Sequence, residues 1–371
     1  MTMSISFPAT FKASIGAACL ALAAIGAAPI EIALAQDAGG VQLDEARTGA
    51  VIEKTLELLN ARYVFPEVAE DMAKHVRANV EKGAYASLSS PSALAHKLTE
   101  DLQSVSKDLH LRVSFAPGVD MFVERDNTNA HEEASARAKN INYGFESVSR
   151  LACNVGYIDL RNFHSKDSGA ETASAAMNFL ANTDALIFDL RQNGGGDPNM
   201  VAWLSSYLFG DEPVHLNSLY WREGETTSEF WTNPKVPGKR SPDSPVFVLT
   251  SGQTFSAAEE FSYNLKCLGR ALIVGEKTGG GAHPGGRVPV DEEFAVWIPM
   301  GRAINPITGT NWEGTGVEPD IAVPVNAAKE MAHMLAIEGM LATVSEDWRL
   351  AELERELEAV RGRIDKLAGG R

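Results

Sequence analysis

Ser256 stands where an apolar run breaks and helix formers begin, in VFVLTSGQTFSAAEEF (Val246–Phe261). A serine in that place has two readings. It caps the helix with its own oxygen, and Glu259, three residues on, completes a capping box. Or it projects the oxygen as a nucleophile, with the N–H of Ala257 placed to hold a developing oxyanion. Read locally, the cap is the stronger reading. One βα unit earlier, DLRQNGGGDP (Asp189–Pro198) runs a strand into three glycines and then a helix. Glycines there let backbone N–H groups approach a bound group, and a helix N-terminus adds positive potential. The stretch lacks the GK[ST] of a P-loop and the spacing of a dinucleotide fingerprint. It is a tight strand-to-helix turn or an oxyanion cradle. Serine and cradle together would do acyl transfer, and that chemistry needs a proton acceptor.

The elements that must hold these residues fall into two textures. Ile52, Leu56, Leu59 and Tyr63 share one helical face, as do Val68, Met72, Val76 and Val80, and then Leu94, Leu98, Leu102 and Val105. Pro66 and the Ser-Ser-Pro-Ser run at 89–92 start the second and third of these helices. The pattern predicts a helical N-terminal domain over 43–110, then a strand Leu111–Phe115 and a polar connection, 111–153 in all. From 154 to 325 strands and helices alternate, which predicts an α/β core with a largely parallel sheet. Residues 326–371 read as C-terminal helices. There Leu350, Leu353, Leu357, Val360, Ile364 and Leu367 form a seam. It packs on its own domain or joins two copies into a homodimer through 346–371.

Composition narrows the partners. The 371 residues carry a formal net charge of −16 and 44% apolar residues. That supports a full core and argues against nucleic acid or an anionic membrane surface as partner. Lys12, the small apolar stretch Ala13–Ile30 and Ala33-Leu34-Ala35 predict a secretory signal over 1–35, cleaved before Gln36. No transmembrane span is expected after its removal, and the location is periplasmic or secreted. Of the three cysteines only Cys153 and Cys267 lie beyond that segment, as two buried thiols or as a disulfide. Their spacing supplies no metal site, and no cofactor is expected.

Taken in order, DLRQNGGG, TSGQTFSAAEEF, GRALIVGEKTGGGAHPGG and NWEGTGVEPDI resemble the core of the tail-specific, or C-terminal processing, serine peptidases. The resemblance extends to tricorn-type peptidases and to modules of interphotoreceptor retinoid-binding protein. The helical third ending in KDLHLRVSF is similar to the N-terminal domain of that last branch. The resemblance spans about Leu43–Val325. It implies a crotonase-like (ClpP-like) ββα-spiral core joined to a helical domain. Residues 116–153 are too few for an inserted PDZ domain.

Carried over, the family nucleophile falls on Ser256, and the oxyanion donors on the N–H groups of Ala257 and Gly195. The lysine base of C-terminal processing enzymes has no counterpart, because Gly281 occupies its place in GEKTGGGAHP and Lys277 lies four residues earlier. The tricorn-type pattern uses a histidine ending the helical domain and a glutamate before G-V-x-P-D. These are His110 and Glu313, with Leu109 where tricorn-type enzymes have a serine and Asp108 beside it. His283 and Lys277 remain alternative bases. The implied function is an exported serine peptidase acting on extended or unfolded polypeptides through a Ser/His/Glu relay. The alternative is a non-catalytic module on the same fold that holds a hydrophobic, retinoid-like or lipid-like ligand.

Overall fold

The computed structural model describes residues 43–117 and 128–369; the expected signal segment lies outside them. The N-terminal layer is three helices, α1 (Glu45–Arg62), α2 (Pro66–Glu81) and α3 (Pro91–Ser106). Their starts follow local chemistry. The Asp44 side chain accepts from the Arg47 N–H at 2.7 Å, while Pro66 and Pro91 take first-turn positions where no amide hydrogen is needed.

In chain order there follow β1 (Arg112–Phe115), α4 (Thr128–Asn140), β2 (Phe145–Leu151), β3 (Val155–Leu160), α5 (Lys166–Phe179), β4 (Ala185–Asp189) and α6 (Pro198–Ser206). Next come β5 (His215–Trp221), β6 (Thr226–Trp231), β7 (Val246–Thr250), α7 (Ala257–Cys267) and β8 (Leu272–Gly275). The chain continues through β9 (Gly285–Pro289), β10 (Phe294–Pro299), β11 (Gly301–Ile304), β12 (Ile321–Ala322), α8 (Ala328–Leu341) and α9 (Asp347–Gly369). The connection expected before 154 thus contains a helix and a strand. β2 escaped the pattern because it is an edge strand whose Glu146, Ser147 and Arg150 are exposed. Among the described residues nothing between β1 and β3 resembles an inserted PDZ sheet.

The main sheet has six strands in the order β12-β8-β7-β4-β3-β2, parallel except for the antiparallel edge strand β2. Helices cover both faces. Met177 of α5, Leu204 of α6 and Phe261 of α7 pack with Leu186, Phe188 and Val248 on one side. Ala332 and Leu335 of α8 and Leu353 of α9 pack with Ile187, Phe247 and Leu249 on the other. Burial on both faces is why the ALIFD of β4 and the VFVLT of β7 are unbroken apolar runs. Half of the α9 seam packs inside its own chain, where Leu353, Leu357 and Val360 are buried. Cys153 and Cys267 are both free thiols.

Two features of this topology position the site. First, β4, β7 and β8 are neighbours in the sheet, so the loops leaving their carboxyl ends converge, where ligands of parallel sheets gather. Second, β1 pairs antiparallel with β10, and β10 with β9, in the registers Arg112↔Trp297 and Trp297↔Arg287. Val288, Phe294, Val296 and Ile298 of those late strands join the core of α1–α3. That sheet ties the helical domain to the segment just after the Gly279–Pro284 turn, and it brings His110 to the core.

Candidate active site

Ser256 begins α7 with φ 56° and ψ −121°, a left-handed φ that a residue with a Cβ rarely adopts. Three groups hold it there. Its N–H donates to Glu259 Oε2 at 2.9 Å, its C=O accepts from the Glu260 N–H at 2.9 Å, and the Phe255 N–H donates to the Asn193 C=O at 3.0 Å. The capping-box partner is present, but here it orients the serine rather than only ending a helix. Gly195, at φ 112°, lies so close that a Cβ there would sit 2.7 Å from Ser256 Cβ and 3.0 Å from the Ala257 nitrogen.

Glu259 is the hub of the turn. Fully buried, it also accepts from Thr278 Oγ1 at 2.5 Å and from the N–H groups of Gly280 and Gly281 at 2.6 and 2.8 Å. Burial raises its pKa, and these donors oppose the rise. Replacing it strands four donors at once. Glu259→Leu is expected to lower stability by on the order of 3–5 kcal/mol, read from urea midpoints at constant m. An unchanged midpoint would show that these bonds contribute nothing net. The same turn is bound to the NWEGTG loop: the Gly314 N–H donates to the Gly280 C=O at 2.9 Å, and Trp312 Nε1 to the Gly281 C=O at 2.7 Å.

The expected oxyanion donors separate. The Ala257 N–H stands at the first position of α7, where no intrahelical acceptor exists. The Gly195 N–H, by contrast, is taken by Asn193 Oδ1 at 2.9 Å. Its neighbour Gly196, rather than Gly195, lines the cavity of about 50 Å³ beside Ser256 and Ala257.

His110 comes to this centre from the other domain. Its ring packs on Phe255, the residue before Ser256, with centroids 4.6 Å apart. A Cβ on Gly281 would lie 2.7 Å from its Cε1. Its Nδ1 is buried without a partner among the described residues, as is Glu313 Oε1. Burial pushes the His110 pKa down to about 4, opposed by Asp108 and aided by His283 and Arg112. The imidazole is therefore neutral at physiological pH.

Behind His110 lies a buried ionisable cluster that spacing along the sequence did not reveal. Asp108, fully buried, accepts from His283 Nδ1 at 2.8 Å, from Tyr63 Oη at 3.2 Å and from the His110 N–H at 3.1 Å. Glu313 Oε2 accepts from the Ala282 N–H at 2.5 Å and lies 3.5 Å from His283 Nδ1. Burial, with Asp108 nearby, holds the Glu313 carboxyl well above the usual carboxylate range. Asp108, His283 and Glu313 bring three ligand atoms within 4.8 Å of one another. The Asp108–His283 separation of 2.8 Å is nonetheless a direct hydrogen bond, shorter than the roughly 3.3 Å between two tetrahedral zinc ligands. Lys277 is elsewhere: it is half-exposed and pairs with Glu318 at 2.7 Å.

Comparison with known proteins gives the family and the fold. Residues 154–323 match the family described as Peptidase family S41, and residues 31–151 match the N-terminal domain of Peptidase S41 in eukaryotic IRBP. Among solved structures, a candidate peptidase from Parabacteroides merdae superposes with a TM-score of 0.58 at 19% identity, covering 80% of this chain and 99% of that one. A lipoprotein from Streptococcus agalactiae superposes with a TM-score of 0.51 at 16% identity, covering 77% and 95%. These likenesses are of fold. With a peptidase core over 154–323 and the N-terminal domain that accompanies it over 31–151, the chain belongs to peptidase family S41 and is a serine peptidase.

Proposed function

We propose that this peptidase is exported and cuts extended or unfolded polypeptides by acyl transfer through Ser256, with His110 as the base and Glu313 as the acid that orients it. The observation that carries the reading is the left-handed Ser256, fixed by Glu259 at a cavity, with the neutral His110 imidazole packed on the preceding Phe255. His110 takes the Ser256 hydroxyl proton as Oγ attacks the scissile carbonyl. The N–H groups of Ala257 and Gly196 receive the oxyanion. His110 then gives its proton to the departing amine, and water releases the acyl group by the same steps in reverse. The two orphaned buried atoms, His110 Nδ1 and Glu313 Oε1, are of the kinds through which an acid holds an imidazole's tautomer. His283 and Asp108 lie behind and brace this pair. Lys277, in its surface ion pair, takes no part.

Export rests on the Lys12–Ala35 pattern. The exported protein is expected to begin at Gln36, as N-terminal sequencing would read. The cavity beside Ser256, at about 50 Å³, is smaller than the ~300 Å³ or more of ordinary ligand sites, so the ligand-binding alternative would need another cavity.

A fluorophosphonate probe tests the nucleophile. It is expected to label the mature protein and not Ser256→Ala, in parallel with cleavage of an unstructured polypeptide such as reduced casein. Absence of both in the wild type, with saturable binding of a fluorescent retinoid, would overturn the reading. The pH profile tests the base. A base works in its neutral form, and burial lowers the pKa of His110, so activity persists below pH 6.5 and is lost as pH falls through about 4. An acid limb of kcat/KM centred at 6.5 would instead indicate a solvated histidine.

A further inference from the structure

The mechanism leaves one buried acid without work. Glu260 lies one helical turn after Ser256 and so shares its face of α7. It is 5% exposed, and its Oε1 is buried without a partner among the described residues. Its neighbour Asn217 is fully buried and is the polar side chain that faces this carboxyl. A carboxyl in such a place costs stability unless something pairs with it.

Glu260 is also the single titratable side chain in the lining of the cavity beside Ser256, whose other walls include Leu219, Ala303 and Trp312. The cavity also touches Gly196, Ser256 and Ala257, the groups that surround an attacked carbonyl. A side chain entering it therefore belongs to the residue contributing that carbonyl. At about 50 Å³ it suits a side chain of a few heavy atoms. Burial raises the Glu260 pKa to about 8, opposed by the Asn217 side chain and aided by Asp197. At neutral pH the acid is mostly protonated and offers both a donor and an acceptor. A hydroxyl matches that pair, whereas a methyl leaves it unpaired.

Building on the serine-peptidase reading, we propose that this cavity is the subsite for the residue on the acyl side of the scissile bond. There Glu260 selects a small hydrogen-bonding side chain, threonine or serine, over its apolar isostere. A site built to bond a hydroxyl rejects the analogue that lacks it, so discrimination of roughly tenfold or more is expected.

Product-like peptides read the subsite without turnover. Acetyl-Ala-Ala-Ala-Thr and acetyl-Ala-Ala-Ala-Val, titrated calorimetrically into Ser256→Ala, are expected to differ about tenfold in Kd in favour of threonine. The preference should persist with Glu260→Gln added and fall to near unity with Glu260→Leu. Equal affinities, no binding of either peptide, or a threonine preference that survives in folded Glu260→Leu would each overturn the proposal. If Glu260→Leu fails to fold, the threonine-to-valine ratio in Ser256→Ala and in its Glu260→Gln derivative decides it. Cleavage of matched internal peptides by the wild type is the second arm. Cutting after valine as fast as after threonine overturns the subsite. No cleavage of either, with the binding ratio intact, overturns acyl transfer through Ser256 and leaves only the hydroxyl selectivity of the Glu260 cavity standing.

Discussion

Alanine at His110 should cost about as much turnover as alanine at Ser256, and the double variant little more than either. A base that acts only by taking the nucleophile's proton has nothing to do once the hydroxyl is gone. The losses therefore overlap instead of adding, and each is expected to be on the order of 10⁴-fold or more in kcat, with KM within a few-fold. The residual rate would come from the oxyanion donors and from substrate binding, which neither change removes. Two comparators sharpen the assignment. Lys277→Ala should stay within about twofold of the wild type, because Lys277 is half-exposed and engaged with Glu318. His283→Ala should act mainly on stability, since it leaves the buried Asp108 without its closest donor. A fully active His110→Ala would transfer the base to His283, whose ring lies on the other side of the same Asp108.

Most of the frame was legible because its causes are local. The helical faces at Leu56, Met72 and Leu98, the prolines at 66 and 91, and the unbroken runs of β4 and β7 each follow from burial on one side or two. The edge strand β2 was missed for the converse reason, as one face meets water and its polar residues hide the alternation. The site divides along the same line. Ser256, Ala257 and Glu259 are neighbours in the chain, and the capping box was visible there. That the box serves a left-handed serine depends on Gly195, Gly280 and Gly281 packing around it, which no short stretch reveals. The same holds for the choice between Gly195 and Gly196. It turns on the Asn193 side chain reaching the Gly195 N–H, a contact between residues that the sequence merely sets side by side. His110 meets Gly281 only through the β1–β10–β9 register, a pairing across nearly two hundred residues. Glu260 did leave a trace. It lies four residues from Ser256 on a buried helix face, where an acid without a basic partner is out of place.

Installing lysine at 281 should destroy activity rather than restore the dyad that the resemblance associates with this position. A Cβ on Gly281 would lie 2.2 Å from Phe255 Cζ, 2.5 Å from Phe255 Cε2 and 2.7 Å from His110 Cε1. The ring that seats His110 and the histidine itself thus fill the volume a side chain at 281 would need. A side chain at 281 and the His110 ring compete for the same space, although the two positions are distant in the sequence. Gly281→Ala already forces Phe255 outward, and overpacking of that kind costs about 1–3 kcal/mol. Phe255 adjoins Ser256, so the displacement reaches the nucleophile, and a shift near 1 Å costs on the order of 10²-fold in rate. Gly281→Lys adds an ammonium beside an imidazole that must accept a proton, which lowers its basicity further. Expected results are a loss of about 10²-fold in kcat/KM for Gly281→Ala and a larger one for Gly281→Lys, with Tm lowered in both. A combined His110→Ala/Gly281→Lys variant separates sterics from chemistry, because removing the ring makes room for the lysine. If Gly281→Lys alone kept wild-type activity, the packing of His110 against Gly281 would be irrelevant to catalysis. If the double variant recovered rate over His110→Ala, the two bases would be shown to be alternative occupants of one position beside Ser256.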